Sequence, residues 1–241
     1  SGKTISGRCL FVMDGKDADA YILANKAGEL YLVDAKAKGI SVTELVTVDK
    51  TRPSIELNLD NVEAELLPGS ESNQEVINKV LDAGRLMLAA DSIGASQIML
   101  DKAVAYSLER KQFGRVIGSF QAVKHMCAEM AAELEPCHSM IWHASHCYDH
   151  DPSQARLMAC HTKAHVSEVS KQISKTATEV HGGMGFTDEL GLHYWFKRIG
   201  LNRQLLGSPE LVREEAARIQ NFDQSPAGGQ SKKEVGNPLL V

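Results

Sequence analysis

Apolar residues in the first 67 positions come in short runs, at 4–12, 21–24, 30–33, 40–46 and 55–59, separated by Gly, Asp and Lys. Runs of that length bounded by turn residues predict β-strands and a small antiparallel sheet. Pro68, Gly69 and Ser70, with Glu71, Ser72 and Asn73 behind them, read as a linker and a helix N-cap, which places a domain boundary near residue 70. From Glu75 onward the period changes. Val76, Val80, Leu81, Leu86, Leu88, Ile93, Ile98, Leu100, Val104 and Leu108 recur at helical spacing with no proline before Pro136, and predict one long helix to about Gln112. Phe113-Gly114 and Gly118-Ser119 interrupt the pattern. A second helix follows over 120–149 with Pro136 as a candidate kink, and a third over 153–180, ended by the glycine loop at 182–185. Asp188 is expected to cap a shorter fourth segment, and 210–219 closes the domain. Long antiparallel helices joined by short turns make a bundle. The chain therefore divides into a β domain (1–70), a helical bundle (71–222) and a tail (223–241) whose Pro, Gly, Ser and Lys content reads as mobile or wrapped on a partner.

Composition narrows the function classes. The net charge of −5 excludes a basic nucleic-acid binder, and no run approaches the roughly 18–20 apolar residues of a bilayer span. No export signal opens the sequence, and its five cysteines, at 9, 127, 137, 147 and 160, form no Cys-x-x-Cys pair. Reduced thiols in a cytoplasm fit that usage.

Two elements exceed what a packed bundle requires. In Arg110-Lys111-Gln112-Phe113-Gly114, followed by Phe120-Gln121, an arginine at a helix end can clamp a phosphate, a phenyl ring can stack on a planar ring, and a glutamine amide can bond an anion or a base edge. The plain alternative is a C-capping arginine beside a core phenylalanine. In His181-Gly182-Gly183-Met184-Gly185-Phe186 the glycines let backbone amides approach a ligand such as a pyrophosphate, the plain alternative being a glycine C-cap between helices. His138, His143, His146 and His150 with Cys147, and His161 with His165, raise a zinc site, but no accompanying glutamate or convergent set supports one, and no metal is assigned. Met87, Met99, Met126, Met130, Met140 and Met158 read as bundle core, and Trp142 and Trp195 as core or interface anchors.

In this order, behind a small β domain, the two elements resemble the acyl-CoA dehydrogenase family. Residues 106–125, YSLERKQFGRVIGSFQAVKH, and 178–198, TEVHGGMGFTDELGLHYWFKR, are similar to that family's C-terminal signatures, and 5–24, ISGRCLFVMDGKDADAYILA, to the middle-domain strand that passes the flavin ring. The resemblance implies an α+β fold: a partial antiparallel β domain, then an antiparallel four-helix bundle, with the family's N-terminal helical domain absent. It implies FAD shared across a subunit interface in a dimer of dimers, homomeric or heteromeric. It also implies an acyl-CoA substrate of fatty acid metabolism and an electron-transfer flavoprotein-type acceptor, with neither nucleic acid nor membrane as partner. On this reading Arg110, Phe113, Gln121 and the backbone at Gly182, Gly183 and Gly185 hold the ADP half of a neighbouring subunit's FAD.

The family's reaction removes an α-proton with a glutamate while the flavin takes the β-hydride. The two positions matching that glutamate are the loop Leu205-Leu206-Gly207-Ser208 and Gly84, and neither holds an acid. Asp91 lies on nearly the same helix face as Gly84 but about 10 Å along the axis at ~1.5 Å per residue, a weak substitute. Asp82 and Glu210 read as solvated helix-end acids. Two further positions depart from the family: Glu179 stands where a glutamine is usual, and Phe11-Val12-Met13 where Trp-Ile-Thr is common. Three readings follow: an FAD-dependent acyl-CoA dehydrogenase or its C-terminal part; a catalytically silent subunit that completes a partner's FAD site; and a flavin-free scaffold.

Overall fold

The computed structural model describes residues 3–69 and 74–222. The linker and N-cap at 70–73 and the tail at 223–241 lie outside the described residues. Contacts divide the chain into one compact unit that runs to Val80 and a second that starts at Leu81, two turns into the first helix.

The first unit is an antiparallel sheet of β1 (Lys3–Met13), β2 (Ala20–Ala24), β3 (Leu30–Asp34), β4 (Ile40–Leu45) and β5 (Ser54–Leu66). The order is β1-β5-β3-β2, with β4 also paired to β5. β5 continues well past the expected end at residue 59, through Asp60-Asn61, which reads as a turn. Asn61 takes a left-handed backbone (φ 50°) and its N–H donates to Ser6 Oγ at 2.9 Å, making a bulge between the Ile5–Val62 and Gly7–Leu59 pairs. The extra residue shifts the alternation by one. Ile55, Leu57 and Leu59 before the bulge, and Val62 and Ala64 after it, therefore all reach the core with Tyr21, Tyr31 and Val33. A second bulge, between Cys9 and Val12, puts Phe11 at φ 57° and leaves it exposed.

The second unit is helical: α1 (Gln74–Glu109, shared with the first unit at its start), α2 (Gln121–His150), α3 (Pro152–His181), α4 (Leu192–Gln204) and α5 (Pro209–Ile219). The core is built from Ile93, Met99 and Ala103 of α1, Met130 and Leu134 of α2, Val166, Ile173 and Ala177 of α3, and Leu192 and Ile199 of α4. Serines allow close helix approach because each satisfies its hydroxyl locally: Ser92 Oγ donates to Leu88 O at 2.8 Å, Ser96 Oγ to Ser92 O at 2.7 Å.

Several expectations need correction. α1 stops at Glu109, short of residue 112, because Lys111–Gln112 (β6) pairs with Arg115–Val116 (β7) in a hairpin. Asp188 caps nothing: α4 starts behind Gly191 at φ 64°, and Asp188 instead lies 3.4 Å from His193 Nε2. Met87 is 74% exposed and lies outside the core that Met99 and Met130 join, and of the two roles read for Trp142 its 75% exposure excludes the core. Asp82 is buried rather than solvated.

Candidate functional site

The first site segment is set by turn chemistry. At the tip of the β6–β7 hairpin Phe113 (φ 51°) and Gly114 (φ 77°) both take left-handed backbone, the requirement of a type I′ turn. A bulky residue pays about 1–2 kcal/mol for that conformation, and Phe113 is nonetheless 92% exposed. Its ring meets Phe120 edge-on at 6.2 Å, and the Arg115 guanidinium stacks 3.9 Å over the Phe120 ring. Gly118 is needed beneath the hairpin, since a Cβ there would lie 2.9 Å from Ser107 O. Arg110 is the pivot: its N–H donates to Tyr106 O at 2.9 Å, its carbonyl accepts from Ile117 at 2.8 Å, and its side chain is exposed.

The second segment is the end of α3. Gly182 takes φ 59° and ψ −141°, backbone territory close to glycine-only. A Cβ on Gly182 or Gly183 would meet nothing within 4 Å, so both backbones face open space. Gly185 differs. It is buried, and a Cβ there would come within 2.6 Å of Thr178 O, so its glycine serves packing under the loop. His181 is buried, bonded through Nδ1 to Ala177 O at 2.7 Å and packed on Tyr106 at 4.6 Å between ring centroids.

These two segments meet. Tyr106, Arg110, Gln112, Glu179, His181, Gly182 and Gly183 line one pocket of about 450 Å³. Phe113, Gln121 and Gly185 are not among its lining residues; Gln121 opens α2, with its amide 3.4 Å from His125 Nε2. A guanidinium that forms no ion pair among the described residues, beside two unobstructed glycine backbones, fits a phosphate-bearing group.

A separate region brings together the two positions that the resemblance pairs with the catalytic glutamate, and they touch. The Leu206 Cδ1 atom lies 2.4 Å from the point a Cβ on Gly84 would occupy. Leu206 itself is left-handed (φ 55°), followed by Gly207 at φ 106°. Arg85, fully buried, holds this turn by donating from Nε to Leu206 O at 3.0 Å. Its other nitrogens donate to Asp82 Oδ1 at 3.2 Å, Cys160 Sγ at 3.4 Å and Glu215 Oε2 at 2.8 Å, and Arg156 also pairs with Glu215. Burial, acting against both arginines, raises the Asp82 carboxyl above its ordinary range. The same burial pushes the Cys160 thiol up to about 12, which leaves it inert. The sequence pattern gave no sign of Arg85, because an Asp-x-x-Arg step on a helix is ordinarily a surface pair.

The acids singled out in the sequence are engaged elsewhere. Asp91 accepts two bonds at 2.8 Å from Arg198, through Nε to Oδ2 and Nη2 to Oδ1, and one at 2.6 Å from Asn202 Nδ2. Glu210 is an α5 first-turn acid whose carboxyl is held down at about 2, first by Ser208 and the α5 backbone, then by Arg203. Lys163 is a second buried cation: it donates to the α4 end at Asn202 O and Arg203 O, and to Ser167 Oγ. Among the described residues no group of three or more His, Cys, Asp or Glu could hold a metal, and the five cysteines are unpaired.

Comparison with known proteins places these features. The family model "Acyl-CoA dehydrogenase, C-terminal domain" matches residues 74–220. The acyl-CoA dehydrogenase IpdE2 of Mycolicibacterium smegmatis is 30% identical over 87% of this chain and 60% of its own length. The caffeyl-CoA reductase-Etf complex subunit CarC of Acetobacterium woodii is 33% identical over 66% of this chain and 43% of its own. Among solved structures, the Tcur3481-Tcur3483 steroid ACAD G363A variant superposes with TM-score 0.82 at 26% identity, covering 92% of this chain and 60% of that one. The chain thus spans about three fifths or less of the relatives it matches. No helix of the described residues is long and apolar enough to cross a membrane.

Proposed function

Because this chain belongs to the acyl-CoA dehydrogenase family, we propose that it is the silent subunit of a heteromeric FAD-dependent dehydrogenase, completing an FAD site whose catalytic glutamate stands on a partner chain. One observation carries the reading: Leu206 occupies the space beside Gly84, so the two positions that match the base are packed against each other as hydrocarbon and glycine. Asp91 is locked by Arg198, and Asp82 and Glu215 are held by Arg85 and Arg156, so none of these three carboxylates is poised to take an α-proton.

FAD, when bound, would accept the β-hydride of an acyl-CoA thioester. This chain's part is to bind and orient. Arg110 and the backbone at Gly182 and Gly183 would take the pyrophosphate, with Gln121 and the exposed Phe113 presented toward the same cofactor from the second helix and the hairpin tip. The acceptor would be of the electron-transfer flavoprotein type, a role suggested by the Etf-complex subunit among the relatives. A dimer of dimers in a cytoplasm suits this division of labour.

The test is anaerobic bleaching of the flavin by acyl-CoA, measured for this chain alone and for its assembly with a longer family member. Bleaching only in the assembly supports the reading, and bleaching by this chain alone overturns it.

A further inference from the structure

Glu179 is the one acid in the Arg110–glycine pocket, and its placement is costly. It lies exposed in the last turn of α3, where the helix dipole disfavours negative charge by about 0.3–1 kcal/mol. Among the described residues it forms no ion pair, either with Arg110, which lines the same pocket, or with any other cation. The pocket therefore gathers two unlike kinds of group. Arg110 and the open backbones of Gly182 and Gly183 call for an anion, and Glu179 calls for hydrogen-bond donors.

We infer that Glu179 selects a nucleoside diphosphate whose ribose carries a free vicinal diol, and rejects one phosphorylated on that ribose. A carboxylate can accept from both hydroxyls of a 2′,3′-diol at once, while the diphosphate goes to Arg110 and the glycines; an acid on a ribose diol is also how nucleotide folds distinguish unphosphorylated from phosphorylated ribose. A 3′-phosphate in place of the hydroxyl would set a dianion against Glu179, in a pocket with a single arginine. The inference rests on the proposed function and deepens it. The two adenine nucleotides of that reaction, FAD and the acyl-CoA, differ at this hydroxyl, since coenzyme A is 3′-phosphorylated and the ADP half of FAD is not. Glu179 thereby reserves the pocket for the flavin nucleotide over coenzyme A.

The experiment is calorimetric titration of the full chain with ADP and with 3′-phospho-ADP, for the wild type, Glu179→Gln and Arg110→Ala. The wild type should bind ADP about tenfold or more tighter than 3′-phospho-ADP, the scale of one charge-assisted bond exchanged for a repulsion. Glu179→Gln should bring the ratio close to one with an unchanged melting temperature, and Arg110→Ala should weaken both nucleotides. Equal affinities in the wild type, or a preference that survives Glu179→Gln, overturns the inference and leaves the anion site standing. Binding of neither nucleotide removes the inference and the nucleotide half of the proposed function together.

Discussion

Leu206 and Gly84 are in contact although distant in sequence: Leu206 Cδ1 fills the place of the Cβ that Gly84 lacks, and Arg85, next to Gly84, bonds the carbonyl of Leu206 121 residues away. The glycine is thus matched to the leucine. Gly84→Ala should gain up to about 1 kcal/mol of helix propensity in a Leu206→Ala background, yet lose stability in the wild type, where overpacking costs about 1–3 kcal/mol. Urea unfolding of the four proteins should give a coupling of about 1 kcal/mol or more, and additivity would contradict the contact.

Arg85 is the tie between α1, α3, α5 and the Leu206 turn. Arg85→Met strands Asp82 and Glu215 beside Arg156, and should cost about 3–5 kcal/mol, read as a large fall in the denaturant midpoint. A loss under 1 kcal/mol would show that the network is dispensable.

Lys163 gives a pH signature. Its burial, with Arg85 and Arg203 adding repulsion, pulls the amine from the usual 10.5 down to about 8. Between those values the unfolded chain keeps a proton that the folded chain has released, so stability rises with pH across that window. Relative to Lys163→Met, the wild type should gain on the order of 1 kcal/mol between pH 8 and 10. A difference that stays flat over this window would contradict the buried placement of the amine.

The anion site has its own test in the assembled oligomer. Arg110→Ala should weaken FAD by about 2 kcal/mol or more, the scale of a lost charge-assisted clamp, without lowering the thermal stability of this chain, because the side chain is exposed. Unchanged flavin affinity would take Arg110 out of the site.

Periodicity carried the long helices because each buries one stripe over many turns, and the glycine and arginine motifs marked the pocket because backbone exposure and paired donors have narrow residue requirements. What stayed hidden was hidden for reasons of packing. Asp60-Asn61 has the chemistry of a turn and forms a bulge, since Ser6 supplies the bond that keeps β5 paired. Lys111 to Val116 has too few residues to show alternation, so the hairpin is visible only as Phe113-Gly114. Asp82, Arg85 and Lys163 look like surface charges in sequence; their burial depends on partners from α3, α4 and α5 that no local pattern identifies.

A silent subunit must share its flavin with a chain that owns the base. Native mass spectrometry of the complex purified from its own host, recording chain masses and released flavin together, measures that directly. This chain should appear bound to a longer partner, with FAD released from the assembly. A homo-oligomer of this chain alone that carries stoichiometric FAD would contradict this.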